Sequence, residues 1–329
     1  VDKEQIQLNE YAKASPEALK TIKAYDKHKN YQEYPPYILE HDAAHFEIRR
    51  GEVLSFSSLL DGLLVASAND TANVIADVIG PTIPVFMDKV NKYLKEMGLH
   101  STHFVNPHGL HYPTHKTTAR DLGKMSIKAL EKKEIVQRAL LTKVSRDISG
   151  KKEKYFYQTN KLLRNGKYYY PYAIGLKTGY HKKAGFCLVA AAEKNGRKLI
   201  AVVLGAEKSE DRFLDAKALF EEAFKEVKQS KILFKKDKLF QAKIEGAKTL
   251  LKASCLEDCH ISFYPSELVP KKIQIRFKEL SLPVLEGDQV GRVLILDQKG
   301  EVIKKLPLIA QEDVKPTLFH SIKAFFSRD

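Results

Sequence analysis

Leu59, Leu60, Leu63 and Leu64 recur at helical spacing, which predicts a buried helix over Ser57–Val65. The polar stretch Ser67-Ala-Asn-Asp70 interrupts it, and Asp70 is placed to cap a second helix, Thr71–Ile79, that stops at Gly80-Pro81. A third helix is expected over Ile83–Met97, closed by Gly98, and a fourth from Thr118-Ala-Arg-Asp121 to about Leu130. Upstream, Ser15-Pro16-Glu17 has the form of a helix start and predicts a helix over 15–25. From about residue 152 the period changes to that of strands. Tyr155–Thr159, Phe186–Ala192 and Leu199–Leu204 are the candidates, the last two joined by Lys194-Asn195-Gly196-Arg197, whose Asn-Gly pair favours a tight hairpin. Asp211–Val227 returns to an amphipathic helix. After about 229, Ile232–Phe234, Leu239–Ile244, Ile261–Tyr264, Ile273–Phe277, Val290–Leu296 and Val302–Leu308 alternate with turn residues.

This order predicts an α+β fold. A helical cluster on one antiparallel sheet is expected over residues 1–228, a small all-β domain over 229–312, and an amphipathic helix over 313–329. In that last segment Leu318, Phe319, Ile322, Phe325 and Phe326 share one helical face with basic residues beside it, a pattern suited to an anionic membrane surface. No apolar run is long enough for a transmembrane helix, and none follows Val1-Asp2-Lys3-Glu4 as in a signal peptide. The 43% hydrophobic and 29% charged content is that of a globular protein. A formal charge of +14 suits an anionic partner such as a cell-wall polymer or lipid surface, or serves solubility alone. The lysines are scattered and no nucleic-acid-binding motif accompanies them, so nucleic acid is not expected. Cys187, in an apolar run, is expected to be a buried thiol; whether Cys255 and Cys259 pair is left open. No Cys/His spacing has the form of a zinc site, and neither metal nor cofactor is expected.

Two short polar motifs carry the chemistry. Lys177-Thr178-Gly179 follows an apolar run and precedes the hairpin, which puts it on a strand where glycine permits close approach of another backbone. Ser67-Ala68-Asn69 lies upstream in a helix connection. In this order the two motifs, with Gly98-Leu-His-Ser-Thr-His-Phe104, His108-Gly-Leu110 and Tyr180-His-Lys-Lys-Ala-Gly185-Phe, resemble the D-alanyl-D-alanine carboxypeptidases, the low-molecular-mass penicillin-binding proteins. The resemblance extends from about residue 37 to the end. It implies a β-lactamase/transpeptidase-like fold and a serine acyl-enzyme reaction on peptidoglycan stem peptides ending in D-Ala-D-Ala, inhibited by β-lactams, on the extracytoplasmic face of the bacterial membrane.

The resemblance also implies roles. Ser67 relays a proton and Lys177 supplies positive charge. Asn69 binds the substrate amide, Thr178 with Arg212 its carboxylate, Gly179 lets the substrate backbone approach, and the Tyr180 N–H forms half the oxyanion hole, the nucleophilic serine's own N–H forming the other half. His108 lies on a cleft-side loop. One departure is plain: the family's nucleophilic Ser-x-x-Lys does not occur before Ser67, and the one match, Ser149-Gly-Lys-Lys152, stands in the wrong order. The nucleophile is therefore expected upstream of Val1, or the protein is a binding relative that has lost it. A class A β-lactamase would need a glutamate four residues before an asparagine. None of Glu96, Glu131, Glu134 and Glu153 has one.

Overall fold

Asn195 and Gly196 both take positive φ, 52° and 77°, and turn β8 (Gly185–Lys194) tightly into β9 (Arg197–Ala206). That is the geometry whose twist matches two antiparallel strands. The computed structural model describes residues 6–148, 152–267, 272–297 and 300–319. It divides into two compact units, Val1–Phe224 and Lys225–Asp329.

The first unit opens with β1 (Tyr11–Lys13), β2 (Thr21–Ile22), α1 (Ala24–Lys29), β3 (Leu39–Glu40) and β4 (Val53–Ser55). β1 pairs antiparallel with β4, and β2 runs parallel to β3. The helix expected over 15–25 is not formed. Ser15 Oγ accepts from the Ala18 N–H at 3.0 Å and caps a single turn, after which β-branched Thr21 and Ile22 are drawn into pairing with Leu39 and Glu40. Then follow α2 (Phe56–Asp61), α3 (Asn69–Ile79), α4 (Ile83–Glu96), α5 (Ala119–Leu130), α6 (Lys133–Ala139), the ribbon β5 (Lys143–Ile148) and β6 (Lys152–Tyr157), β7 (Ala173–His181), β8, β9 and α7 (Asp211–Phe224).

The central sheet has the order β7-β8-β9. Strand alternation gives it two apolar faces. Leu188, Ala190, Ala192 and Ala201 meet Phe213, Ala216 and Phe220 of α7. On the opposite face Leu176 and Ala191 meet Ala139 of α6. Phe213 and Phe220 are essentially inaccessible, each burial contributing about 2–3 kcal/mol. In this order β7 is one of the two edge strands, with one row of backbone groups unpaired within the sheet.

The second unit is all β. β10 (Gln229–Phe234) pairs with β13 (Cys259–Phe263). β11 (Phe240–Ala242), β12 (Leu251–Ser254), β16 (Val302–Ala310), β15 (Gln289–Leu296) and β14 (Lys272–Phe277) form a five-stranded sheet in that order. Phe234, Leu251, Ile261, Val293, Ile295 and Leu308 fill its core. Val314 is fully buried there and bridges Val284, and the Thr317 N–H donates to Gly246 O, so the β fold runs through residues assigned from sequence to the tail helix. Of the expected amphipathic face, Leu318 and Phe319 are exposed; Ile322, Phe325 and Phe326 lie outside the described residues, as does Ser149. Among the described residues no helix is long and apolar enough to cross a membrane. Cys255 and Cys259 are buried free thiols, their pKa raised by that burial, and Cys187 is half-buried, not buried as expected.

Candidate active site

The helix predicted over Ser57–Val65 divides in two. After α2 the chain makes one wide π turn, Gly62–Ala66, and stops at Ser67 in the left-handed region, φ 57°. Only glycine fits where it begins: a Cβ at Gly62 would stand 2.6 Å from Thr71 Cγ2 and 2.9 Å from the Phe46 ring. The extra residue of a π turn changes the direction of the side chain that ends it, a device common at functional sites. Here it aims Ser67 at the edge strand: Lys177 Nζ donates to Ser67 Oγ at 2.5 Å and to Thr178 O at 2.9 Å. Burial first, and the Arg212 charge second, push the Lys177 pKa down to about 8.

Asp70 is not the cap expected from sequence. α3 begins at Asn69, and the buried Asp70 carboxylate reaches across to accept from the N–H groups of Phe46 (2.8 and 3.0 Å) and Ile48 (3.1 Å), as well as from Thr71 N–H (2.9 Å). Asn69 is buried beside it, its own N–H bonded to Ala44 O at 2.8 Å. The Ser-x-Asn turn is thus fixed by a carboxylate that grips the preceding 44–48 segment.

On the strand side, Thr178 is buried and its Oγ1 lies 2.6 Å from Thr159 Oγ1, a partner the sequence did not single out. Arg212 is also buried. Nη1 donates to Gly179 O (3.0 Å) and Cys187 O (3.2 Å), Nε to Ser209 O (3.2 Å), and Nη2 to Ser209 Oγ (3.3 Å). Its first task is to bind β7 to β8, and one N–H of Nη2 remains beyond these bonds. Tyr180 is exposed with its ring stacked on Phe186 at 4.3 Å. His108 braces its loop. Nδ1 accepts from Leu110 N–H at 3.1 Å, which makes Nε2 the donor to Tyr37 O at 3.2 Å. Burial drives its pKa down to about 3, so the ring is neutral and both nitrogens are engaged by backbone.

Lys177 bonds Ser67 and Thr178 O, and Arg212 bonds Gly179 O, the next residue of the same strand, so five of the eight residues singled out, Ser67, Lys177, Thr178, Gly179 and Arg212, meet along this edge; Asn69 sits in the same turn as Ser67 and Tyr180 on the same strand as Lys177. A helical cluster and an α-helix on either face of a sheet, with a Ser-x-Asn turn against its Lys-Thr-Gly edge, define the penicillin-binding transpeptidase fold. The profile of peptidase S11, described as D-alanyl-D-alanine carboxypeptidase, matches residues 18–208, and the chain belongs to that family. It is 30% identical over 279 residues to D-alanyl-D-alanine carboxypeptidase DacF of Bacillus subtilis, covering 82% of this chain and 69% of that one. It is 30% identical over 294 residues to DacD of Salmonella typhimurium, covering 85% and 70%. Among solved structures, DacD from Francisella tularensis superposes with TM-score 0.61 at 20% identity over 96% of this chain and 84% of that one. Penicillin binding protein 5 from Haemophilus influenzae does so with TM-score 0.59 at 22% identity over 95% and 85%. At these identities the structural likeness concerns the fold.

Proposed function

We propose that the protein carrying this chain is a serine-type D-Ala-D-Ala carboxypeptidase that removes the terminal D-alanine from peptidoglycan pentapeptides. The observation that carries this reading is the 2.5 Å contact between Lys177 Nζ and Ser67 Oγ against a free strand edge. A peptide laid along β7 extends the sheet with its backbone. Its terminal carboxylate meets the Thr178 hydroxyl and the remaining N–H of Arg212, and its amide meets Asn69. The nucleophilic serine attacks the carbonyl of the penultimate D-alanine, and the Tyr180 N–H stabilises the oxyanion. Ser67, polarised by Lys177, passes the nucleophile's proton to the departing D-alanine amine as the C–N bond breaks. Water then hydrolyses the ester.

The Ser-x-x-Lys that this scheme needs is absent before Ser67, and we place it on residues preceding Val1. An apolar cavity of 280 Å³ beside Lys177, lined by Leu64, Leu122, Met125, Leu176 and Val189, suits the packing of such a helix. Protein carrying that segment is expected to be labelled covalently by fluorescent penicillin, and the 329-residue chain is not. A coding sequence without Ser-x-x-Lys upstream, or no labelling of protein that has it, would favour a non-catalytic peptide-binding relative instead.

The enzyme is further proposed to act on the extracytoplasmic face of the membrane, held peripherally by the amphipathic pattern after Thr317. Because Val314 belongs to the β core, the informative truncation starts at Leu318. Removing 318–329 is expected to move the protein from the membrane to the soluble fraction; unchanged fractionation would rule out the anchor.

A further inference from the structure

The geometry points to a divalent-cation site of the zinc class formed by His28, Glu40 and His181, at the end of the strand that carries Lys-Thr-Gly. The three side chains come from α1, β3 and the last residue of β7, and their donor atoms all lie within 4.8 Å of one another. His28 Nε2 and Glu40 Oε1 are 3.2 Å apart. Two ligands bonded tetrahedrally to zinc at its usual N and O distances stand about 3.3 Å apart, so a cation can replace this hydrogen bond with little movement of either group. His181 completes the set by a small inward shift. Two imidazoles and one carboxylate, with a fourth position left to water or an anionic group, form a donor set that zinc favours over magnesium or calcium.

The surroundings fit a built site better than a chance meeting of surface residues. Glu40 is 5% exposed, and its carboxylate is oriented by Lys27, whose fully buried ammonium lies 3.3 Å from Oε1 and donates to Ile38 O at 3.0 Å. Such outer partners hold a ligating carboxylate in position. The His111 ring stacks on His181 at 5.1 Å and stands edge-on to His28 at 6.4 Å, while Tyr31 closes the side at 5.5 Å from His28 and 5.6 Å from His111. These rings pack around the donors and hold the His28 and His181 rings in place. The ligands are 12 and 141 residues apart in the chain, a spacing that matches no metal motif. A cation here would tie the 24–40 segment to the lip of the cleft, next to Thr178–Tyr180.

The test uses the 329-residue chain stripped with chelator and titrated with zinc chloride by calorimetry, and with cobalt chloride by visible absorption. One zinc per chain is expected, with the intense cobalt bands of four-coordinate geometry. His28→Ala and His181→Ala should each weaken binding by at least about tenfold, with unchanged far-UV circular dichroism. His260→Ala, on the separate β unit, should leave it unaltered. Zinc should also slow hydrogen exchange over residues 24–40. No uptake with zinc in excess, or uptake that the His28→Ala/His181→Ala double variant retains, would overturn the assignment and leave the cluster as a packed set of rings around the Lys27–Glu40 pair.

Discussion

Lys177→Met is expected to lower the rate of penicillin acylation by about 10³-fold in protein carrying its Ser-x-x-Lys segment, while making the fold more stable at neutral pH. The loss of rate follows from geometry. Lys177 is the cation within bonding distance of Ser67 Oγ, and methionine fills the same volume without charge or donor. The gain in stability follows from burial, which lowers the ammonium pKa from the usual 10.5 to about 8, so the fold prefers the neutral amine. That cost is present in full below pH 8, shrinks between pH 8 and 10.5, where the folded protein holds the neutral amine while the unfolded chain still carries the proton, and is gone above, where both are neutral. Set against the lost hydrogen bond, the variant should gain about 2 kcal/mol at pH 7. Urea unfolding of the two proteins from pH 7 to 10.5 reads this directly: the gap closes with rising pH. Acylation of the wild type should fall as pH rises through about 8. A Lys177→Met protein that acylates normally, or a gap that stays constant with pH, would contradict the role given to this residue. Stability sacrificed at a reacting centre is a recurrent feature of enzymes.

Much of this was legible in the chain. The Asn195-Gly196 turn, the strands on either side of it and the helix from Asp211 appeared where local period and turn chemistry place them, because their partners are near in sequence. The structure differs where distant partners decide. Thr21 and Ile22 became a strand through Leu39 and Glu40, and β12, whose Leu-Lys-Ala-Ser is too short to show a period, is held by β11 and β16. Val314 read as tail, yet Val284 binds it into the core. In the site, Ser67 and Lys177 could be singled out because their motifs have a fixed local form. Thr159, whose hydroxyl meets Thr178, has none, and the donors contributed by His28, Glu40 and His181 are visible only after three separate segments converge.

The same distinction explains why Asp70 matters more than its assigned place at a helix start. A capping aspartate at the surface contributes about 1 kcal/mol, whereas this one is 2% exposed and accepts from three backbone N–H groups, two of them on a different segment. Asp70→Ala would strand those donors away from water and is expected to destabilise the first unit by about 3–5 kcal/mol in urea unfolding. Asp70→Asn keeps one accepting oxygen but turns an amide N–H₂ toward the same donors, so it should fall between the two. Thr71→Val loses only the 2.7 Å bond from Thr71 Oγ1 to Ala68 O and should cost about 1 kcal/mol. The effect should be local as well as global. In Asp70→Asn the Phe46 and Ile48 amides are expected to exchange with solvent faster than the rest of the unit. Penicillin acylation should also slow, because the turn presenting Ser67 is no longer held against residues 44–48. Stability of Asp70→Ala within experimental error of the wild type would mean that the Ser-x-Asn turn is fixed by its packing on Gly62 and Phe46 alone.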